Sequence, residues 1–131
     1  MNQYQWYGSI RKPRWAPPAA VFGPVWTVLY AIIAVSFGSV GYLYMQGAIP
    51  FSVVLPFLLN LACNLAFSPI QFGLKNLKLA LLDVALTVAT LAWALYAAYP
   101  FAPLVAYANI PYLLWGIFAT ILQTAVVLKN P

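Results

Sequence analysis

The chain has 131 residues, of which 65% are hydrophobic and 5% are charged, and its net charge is +5. Soluble domains carry about a quarter charged residues, so this composition indicates an integral membrane protein. Histidine is absent and Asp83 is the single acidic residue. Most metal sites and the usual acid–base or nucleophilic catalytic sets need at least two such groups, so we expect no metal, no cofactor and no catalytic residue.

A basic stretch rich in tryptophan and proline, residues 6–30, leads into the first apolar run. Proline fixes φ and disfavours helix in the residue before it, so Lys12, Arg14 and Trp15 should lie on an ordered, extended loop. Tryptophan prefers the membrane interface. We therefore predict that this loop lies on the membrane surface over the helix ends, either as an anchor or as the lid of a pocket.

Continuous apolar runs of about 20 residues favour helices over barrel strands, which alternate in polarity. The runs and their short linkers predict an all-α integral membrane protein, a single domain (1–131) folded as an antiparallel bundle of four transmembrane helices. The predicted helices span residues 18–44, 51–72, 77–98 and 103–128. A kink is expected at Pro111, where a backbone hydrogen bond is lost.

All the basic residues fall on one face of this predicted bundle: Arg11, Lys12, Arg14, Lys75, Lys78 and Lys129. Lysine and arginine accumulate on the cytoplasmic side of membranes, so both termini and the basic loops should face the cytoplasm. This face should meet anionic lipid rather than nucleic acid. We expect the protein to reside in a bacterial cell membrane.

Polar side chains recur at spacings of four, four and three along the second predicted helix: Asn60, Asn64, Ser68 and Gln71. They share one helical face, and because polar groups are costly against lipid this face should point into the bundle. For Asn60 and Gln123, interhelical hydrogen bonding explains the polarity as well as ligand contact does. For Asn64, Phe67 and Ser68 we predict contact with a ligand.

Asp83 has two interpretations. An acid within a membrane helix is functional by default, for example in proton coupling. Asp83 also lies about two turns from the basic end, within reach of Lys75, Lys78 or the arginines of the first loop, where it would act as a structural latch for the loop. Both interpretations stay open at this point.

Small residues recur at two places in the apolar runs. Gly38 and Gly41 lie in the first predicted helix, and Ala62 and Ala66 in the second. Such residues permit close helix approach. Ala62 and Ala66 lie partly off the Asn64 face, so they form either a homodimer contact or internal packing.

Three long motifs occur in order: WY-x4-KP-x-W-x-PP-x2-VFGPVWT-x-LY in residues 6–30, LN-x3-N-x2-FSP-x2-FG in residues 59–73, and PYLLW-x2-FAT in residues 111–120. With these motifs the chain resembles the TspO/MBR family of tryptophan-rich sensory or translocator proteins. The resemblance implies a membrane bundle, normally of five helices, that binds porphyrins (tetrapyrroles) such as protoporphyrin IX. In some members it also implies binding of sterols and benzodiazepine-type ligands. Frequent homodimers and a role in porphyrin handling or stress response follow from the same resemblance.

The resemblance also implies a pocket, lined by Trp6 and Tyr7 of the loop, Trp26 of the first helix, Asn64, Phe67 and Ser68 of the second, and Trp115 and Ala119 of the fourth. The family's additional helix precedes the Trp-Tyr pair, which here lies near the start of the sequence. We therefore expect this pocket to lack one wall unless an oligomer or lipid fills the gap.

The function expected from this resemblance is a membrane receptor or binding protein for porphyrins and related hydrophobic ligands, without enzymatic activity. One alternative is a light-dependent porphyrin-degrading enzyme, whose tryptophan pair would map to Trp6 and Trp115. The others are a small membrane transporter and a structural scaffold.

Overall fold

The computed structural model describes residues 7–130, apart from the side chain of Ala19. In this part of the chain all the regular structure is helical: α1 spans Ala19–Met45, α2 Phe51–Ser68 with a π-helical turn Pro69–Gly73, α3 Leu77–Ala98, α4 Pro103–Ala108 and α5 Ile110–Lys129. Within it, four segments are long and apolar enough to cross a membrane. The prediction of an all-α membrane bundle is therefore confirmed.

The fourth predicted span is divided in two at Asn109, two residues before Pro111. Asn109 Nδ2 donates 2.8 Å to the carbonyl of Val105, and the Asn109 backbone N–H turns to the carbonyl of Ala106 at 3.3 Å. Pro111 cannot donate a backbone hydrogen bond, so the helix loses a second rung at the same place. The other predicted spans begin and end within one residue of the helices.

Local capping ends the helices sharply. Gly47 follows α1 with φ of 75°, a left-handed conformation in which glycine carries no steric cost. The next N–H, that of Ala48, then closes onto the carbonyl of Leu43 at 2.9 Å. At the start of α3, Asn76 Oδ1 accepts a 3.0 Å hydrogen bond from the backbone N–H of Leu79. Because such ends leave only short linkers, successive spans run antiparallel.

Helix α3 packs against both α2 and α5, whereas α1 contacts α2 and α4. The approach of α5 to α3 is close at Gly116, where a Cβ atom would lie 3.0 Å from Cγ2 of Val88. Within the described chain no helix approaches Gly38 or Gly41 closely, because a Cβ atom at either would meet nothing within 4 Å.

Large apolar side chains remain exposed on the outer faces of the spanning helices, for example Val35, Leu65, Leu82 and Ile121. Their exposure is typical of helices in contact with lipid, because lipid tails are as apolar as these side chains and contact between them carries no free-energy penalty. Ala62 is exposed on α2 and Ala66 is half-buried. The homodimer contact expected there stays a prediction.

Candidate ligand-binding site

A cavity of about 400 Å³ lies between α1, α2 and α5, towards the end of the bundle that carries the basic loops. Val84 and Thr87 of α3 form a further part of its wall. Small-molecule pockets range over roughly 300–1,000 Å³, so the cavity has room for a ligand. No lysine or arginine of the described chain lines it.

The structure brings the site residues implied by the sequence into this one cavity, as far as it describes them: Tyr7 from the loop, Trp26 from α1, Asn64, Phe67 and Ser68 from α2, and Trp115 and Ala119 from α5. Trp6 lies outside the described residues. Asn64, Phe67 and Ser68 line the cavity together because helix positions three or four residues apart share one face.

Sequence reasoning missed several lining residues, among them Phe22, Tyr30 and Phe72. Phe22, Trp26 and Tyr30 are spaced by four, which forms one aromatic stripe along α1. From this spacing of four, Phe22 and Tyr30 could have been predicted as lining residues. Phe72 carries no comparable signal, because it lies in the π-helical turn after α2, where helical periodicity changes.

Tyr7 closes the mouth of the cavity. Its side chain is buried and meets Phe22 and Phe72 edge-on, with ring centroids 6.3 Å and 5.8 Å away. The Lys12 ammonium lies 4.6 Å from the centre of the Tyr7 ring and donates 2.7 Å to the Tyr7 carbonyl. Burial raises the pKa of the Tyr7 hydroxyl above its ordinary value. The loop thus covers the cavity as a lid.

The C-terminal end of α5 holds this lid in place. The backbone N–H of Arg11 donates 3.0 Å to Asn130 Oδ1, and Asn130 Nδ2 donates 2.7 Å to the carbonyl of Arg11. Asn130 Nδ2 also donates to the carbonyl of Val126 in the last turn of α5. One side chain therefore fixes the loop to the helix end.

A hydrogen-bond network lies at the inner end of the cavity and joins all four spans. The Tyr30 hydroxyl donates 2.8 Å to Asn64 Oδ1, and Asn64 Nδ2 donates 2.7 Å to the Tyr112 hydroxyl. The Tyr112 hydroxyl donates 2.9 Å to Asn60 Oδ1, and Asn60 Nδ2 donates 2.8 Å to the carbonyl of Thr87. Asn60 thus connects helices, as one interpretation held, while Asn64 both connects helices and lines the cavity.

Gln123 combines the same two roles. Its Nε2 atom donates 3.0 Å to the carbonyl of Leu77, at the start of α3, and the residue also lines the cavity. The two interpretations of its polarity are therefore not exclusive.

The latch expected at Asp83 is not formed. Asp83 is 7% exposed. Among the described residues its Oδ2 atom has no hydrogen-bond partner, and no lysine or arginine forms an ion pair with it. It lies one turn before Thr87 on the same face of α3, and the Thr87 carbonyl accepts from Asn60, so this face of α3 packs against α2. Lys75 and Lys78 are exposed at the surface instead.

Aromatic rings connect α1 with α5 across the cavity. Phe22 meets Trp115 at 5.8 Å between ring centroids, and Trp26 meets Tyr112 at 6.4 Å, both edge-on. Beyond the cavity, Phe118 contacts both Trp115 and Trp15 of the loop. The cavity therefore has an aromatic wall with polar groups at its inner end.

Over residues 1–128 the chain matches the TspO/MBR family. The chain belongs to this family. It is 38% identical over 118 residues to the tryptophan-rich protein TspO of Bacillus cereus, covering 90% of this chain and 76% of that protein. It is 38% identical over 125 residues to the human translocator protein, covering 93% and 73%. With the TspO protein of Archaeoglobus fulgidus it shares 33% identity over 128 residues, covering 95% and 80%.

Membership of the TspO/MBR family and the apolar helices together make this an integral membrane protein in contact with lipid. The relatives are named as translocator or tryptophan-rich proteins rather than as enzymes. The family supports a ligand-binding or sensory role in the membrane.

Proposed function

We propose that this TspO/MBR family member is a membrane receptor that binds porphyrins and related flat, hydrophobic ligands in the cavity between α1, α2 and α5. It would act by binding, without catalysis, in tetrapyrrole handling or stress signalling. The observation that carries the proposal is one cavity with an aromatic wall and a neutral polar inner end, placed within the span of the membrane helices.

The lining suits a flat aromatic ligand. Trp26, Phe67 and Trp115 offer ring faces and edges on which a macrocycle can stack, and aromatic contacts add to the free energy of apolar burial. The few polar groups, such as Asn64, can fix the orientation of the ligand. Gly23, Tyr30 and Ser68 are exposed lining residues, which indicates an opening towards the bilayer between α1 and α2.

Binding of protoporphyrin IX to the detergent-purified protein tests this function. Affinity is taken from the change in porphyrin absorbance, so that loss of a tryptophan does not alter the signal itself. Trp115→Leu removes a wall of the cavity and should weaken binding roughly tenfold. Trp93→Leu is the matched control, because Trp93 is exposed on α3 and does not line the cavity.

Three results of this titration are informative. Saturable binding that only Trp115→Leu weakens would support the proposed receptor. If Trp115→Leu and Trp93→Leu bind the porphyrin with equal affinity, the cavity is not the porphyrin-binding site. Non-saturable absorbance changes in the wild type would contradict porphyrin binding altogether.

One observation favours a second candidate function, the light-dependent degradation of porphyrin. Trp26 and Trp115 line the same cavity, so a bound porphyrin would contact two tryptophans. Illumination of the complex should then consume porphyrin faster than with Trp115→Phe, which keeps an aromatic ring. Equal rates would leave binding as the function.

The transporter alternative has less support. Proton coupling would need an acid exposed to the ligand pathway, and Asp83 does not line the cavity. We also propose that the basic face is cytoplasmic and that the protein forms homodimers. The bacterial cell membrane stays a prediction, since the relatives come from bacteria, an archaeon and human.

A further inference from the structure

We propose that Gln71 is a specificity residue of this site, whose side-chain amide hydrogen-bonds a carboxyl group on the edge of the ligand nearest the basic loops. This inference rests on the proposed receptor function and adds to it a named contact. It orients the ligand, because one edge is recognised by polarity while the rest is held by aromatic rings.

Gln71 lines the cavity and is 5% exposed, yet its Oε1 atom is buried without a hydrogen-bond partner in the described part of the chain. Buried side-chain carbonyls are almost always paired, because leaving one unpaired costs free energy. No residue in the described part of the protein donates to this oxygen. A molecule that occupies the cavity can provide a donor.

The backbone around Gln71 places this amide at the basic end of the cavity. Pro69 has no N–H to donate, and beyond it the helix widens into a π-helical turn in which the N–H of Leu74 bonds to the Pro69 carbonyl at 2.9 Å. The turn places Gln71 beside Phe72, which contacts the lid residue Tyr7. Gln71 therefore lies under the lid, at the basic end of the cavity.

The other amides of the cavity are already committed. Asn64 uses its oxygen for Tyr30 and its nitrogen for Tyr112, and Gln123 uses its nitrogen for Leu77. The Oε1 atom of Gln71 has no such bond among the described residues, so this oxygen is available to a ligand.

An amide suits a carboxyl group in either protonation state. Its oxygen accepts from the O–H of the acid, and after a half-turn about the last side-chain bond its N–H donates to the carboxylate. It does so without placing a charge in the cavity, which no described lysine or arginine lines. At the mouth, the ammonium of Lys12 beside Tyr7 favours a carboxylate edge over an apolar one.

The test compares protoporphyrin IX with its dimethyl ester, which has the same ring but no free carboxyl group. Gln71→Met keeps the length of the side chain and removes the amide. It should weaken binding of the diacid about tenfold and change binding of the diester less than about twofold. Gln46→Met is the control, since Gln46 is exposed in the linker after α1, away from the cavity.

Gln71→Glu provides a second variant in case Gln71→Met does not fold. Its negative charge should repel the diacid and weaken its binding more than that of the diester. Equal losses for both ligands would overturn the inference, because Gln71 would then only shape the cavity. Unchanged affinity for both would overturn it as well, because water would then satisfy the amide. If the wild type binds neither ligand saturably, the proposed function fails and this inference fails with it.

Discussion

The side-chain amide of Asn64 donates a 2.7 Å hydrogen bond to the hydroxyl of Tyr112, which joins α2 to α5 at the inner end of the cavity. The same hydroxyl donates onward to Asn60. Asn64, which lines the cavity, thus also holds the helices together. In this chain, substitutions of Asn64 should therefore change stability as well as ligand binding.

Removal of the Tyr112 hydroxyl isolates the contribution of this network to stability. Tyr112 is 1% exposed, so Tyr112→Phe leaves Asn60 Oδ1 and Asn64 Nδ2 buried without a partner. The free energy of unfolding should fall by about 1–2 kcal/mol, measured by denaturant titration in detergent micelles. Tyr96→Phe is the matched control, because Tyr96 is 85% exposed. Equal stability of the two variants would contradict a structural role for the network.

A side chain introduced at Gly116 should disrupt the close packing of α5 against α3. A Cβ atom there already lies 3.0 Å from Val88, so Gly116→Leu must push the helices apart. The expected loss is about 1–3 kcal/mol of unfolding free energy. Gly38→Leu, where a Cβ atom meets nothing within 4 Å, should lower stability much less. If Gly116→Leu and Gly38→Leu lose the same unfolding free energy, the packing of α5 against α3 does not depend on the absence of a side chain at Gly116.

The clamp between Asn130 and Arg11 should protect the lid from proteolysis. Asn130→Ala removes both hydrogen bonds to the Arg11 backbone, so the loop should open more often. Loss of these bonds should lower the free energy of opening the loop by about 1 kcal/mol. Trypsin should then cleave after Arg11 and Arg14 roughly fivefold faster. Gln46→Ala, an exposed substitution in a distant linker, should not change this rate. Cleavage at the wild-type rate in Asn130→Ala would show that other contacts hold the lid.

The proposed orientation can be tested with single cysteines in a Cys63→Ser background. Lys78→Cys reports the basic face and Gln46→Cys reports the opposite face; both positions are exposed. A membrane-impermeant maleimide should label Gln46→Cys in intact cells and Lys78→Cys only after permeabilisation, because lysine and arginine mark the cytoplasmic side. The reverse pattern would overturn the orientation.

Helix positions could be predicted from the sequence because hydropathy is a local property. The run of apolar residues 77–98 is long enough to span the bilayer, and α3 occupies those same residues. The break at Asn109 could not be located in the same way. It depends on a buried side chain that replaces a backbone donor and that also donates to Ser36 of α1, 73 positions away.

The candidate site was only partly visible in the sequence. Spacing placed Asn64, Phe67 and Ser68 on one helical face, and the family motifs added Trp26 and Trp115. Spacing could not show that Asn64 binds Tyr30 and Tyr112, because which helices meet is decided by packing between distant segments. For the same reason, the expected partners of Asp83 were wrong: nearness along the chain did not show which way α3 is turned.

The sequence by itself determined the membrane environment, the extent of the spanning helices, the placement of all basic residues at one face and the family of this protein, because each depends on composition, charge or motif read along the chain. Only the tertiary structure decided which polar side chains hold the bundle together and which remain available to a ligand. Asn60 and Gln71 share one helical face, yet Asn60 is bonded to α3 and α5 while the Gln71 oxygen has no described partner. The difference arises from what the neighbouring helices and the π-helical turn place beside each group.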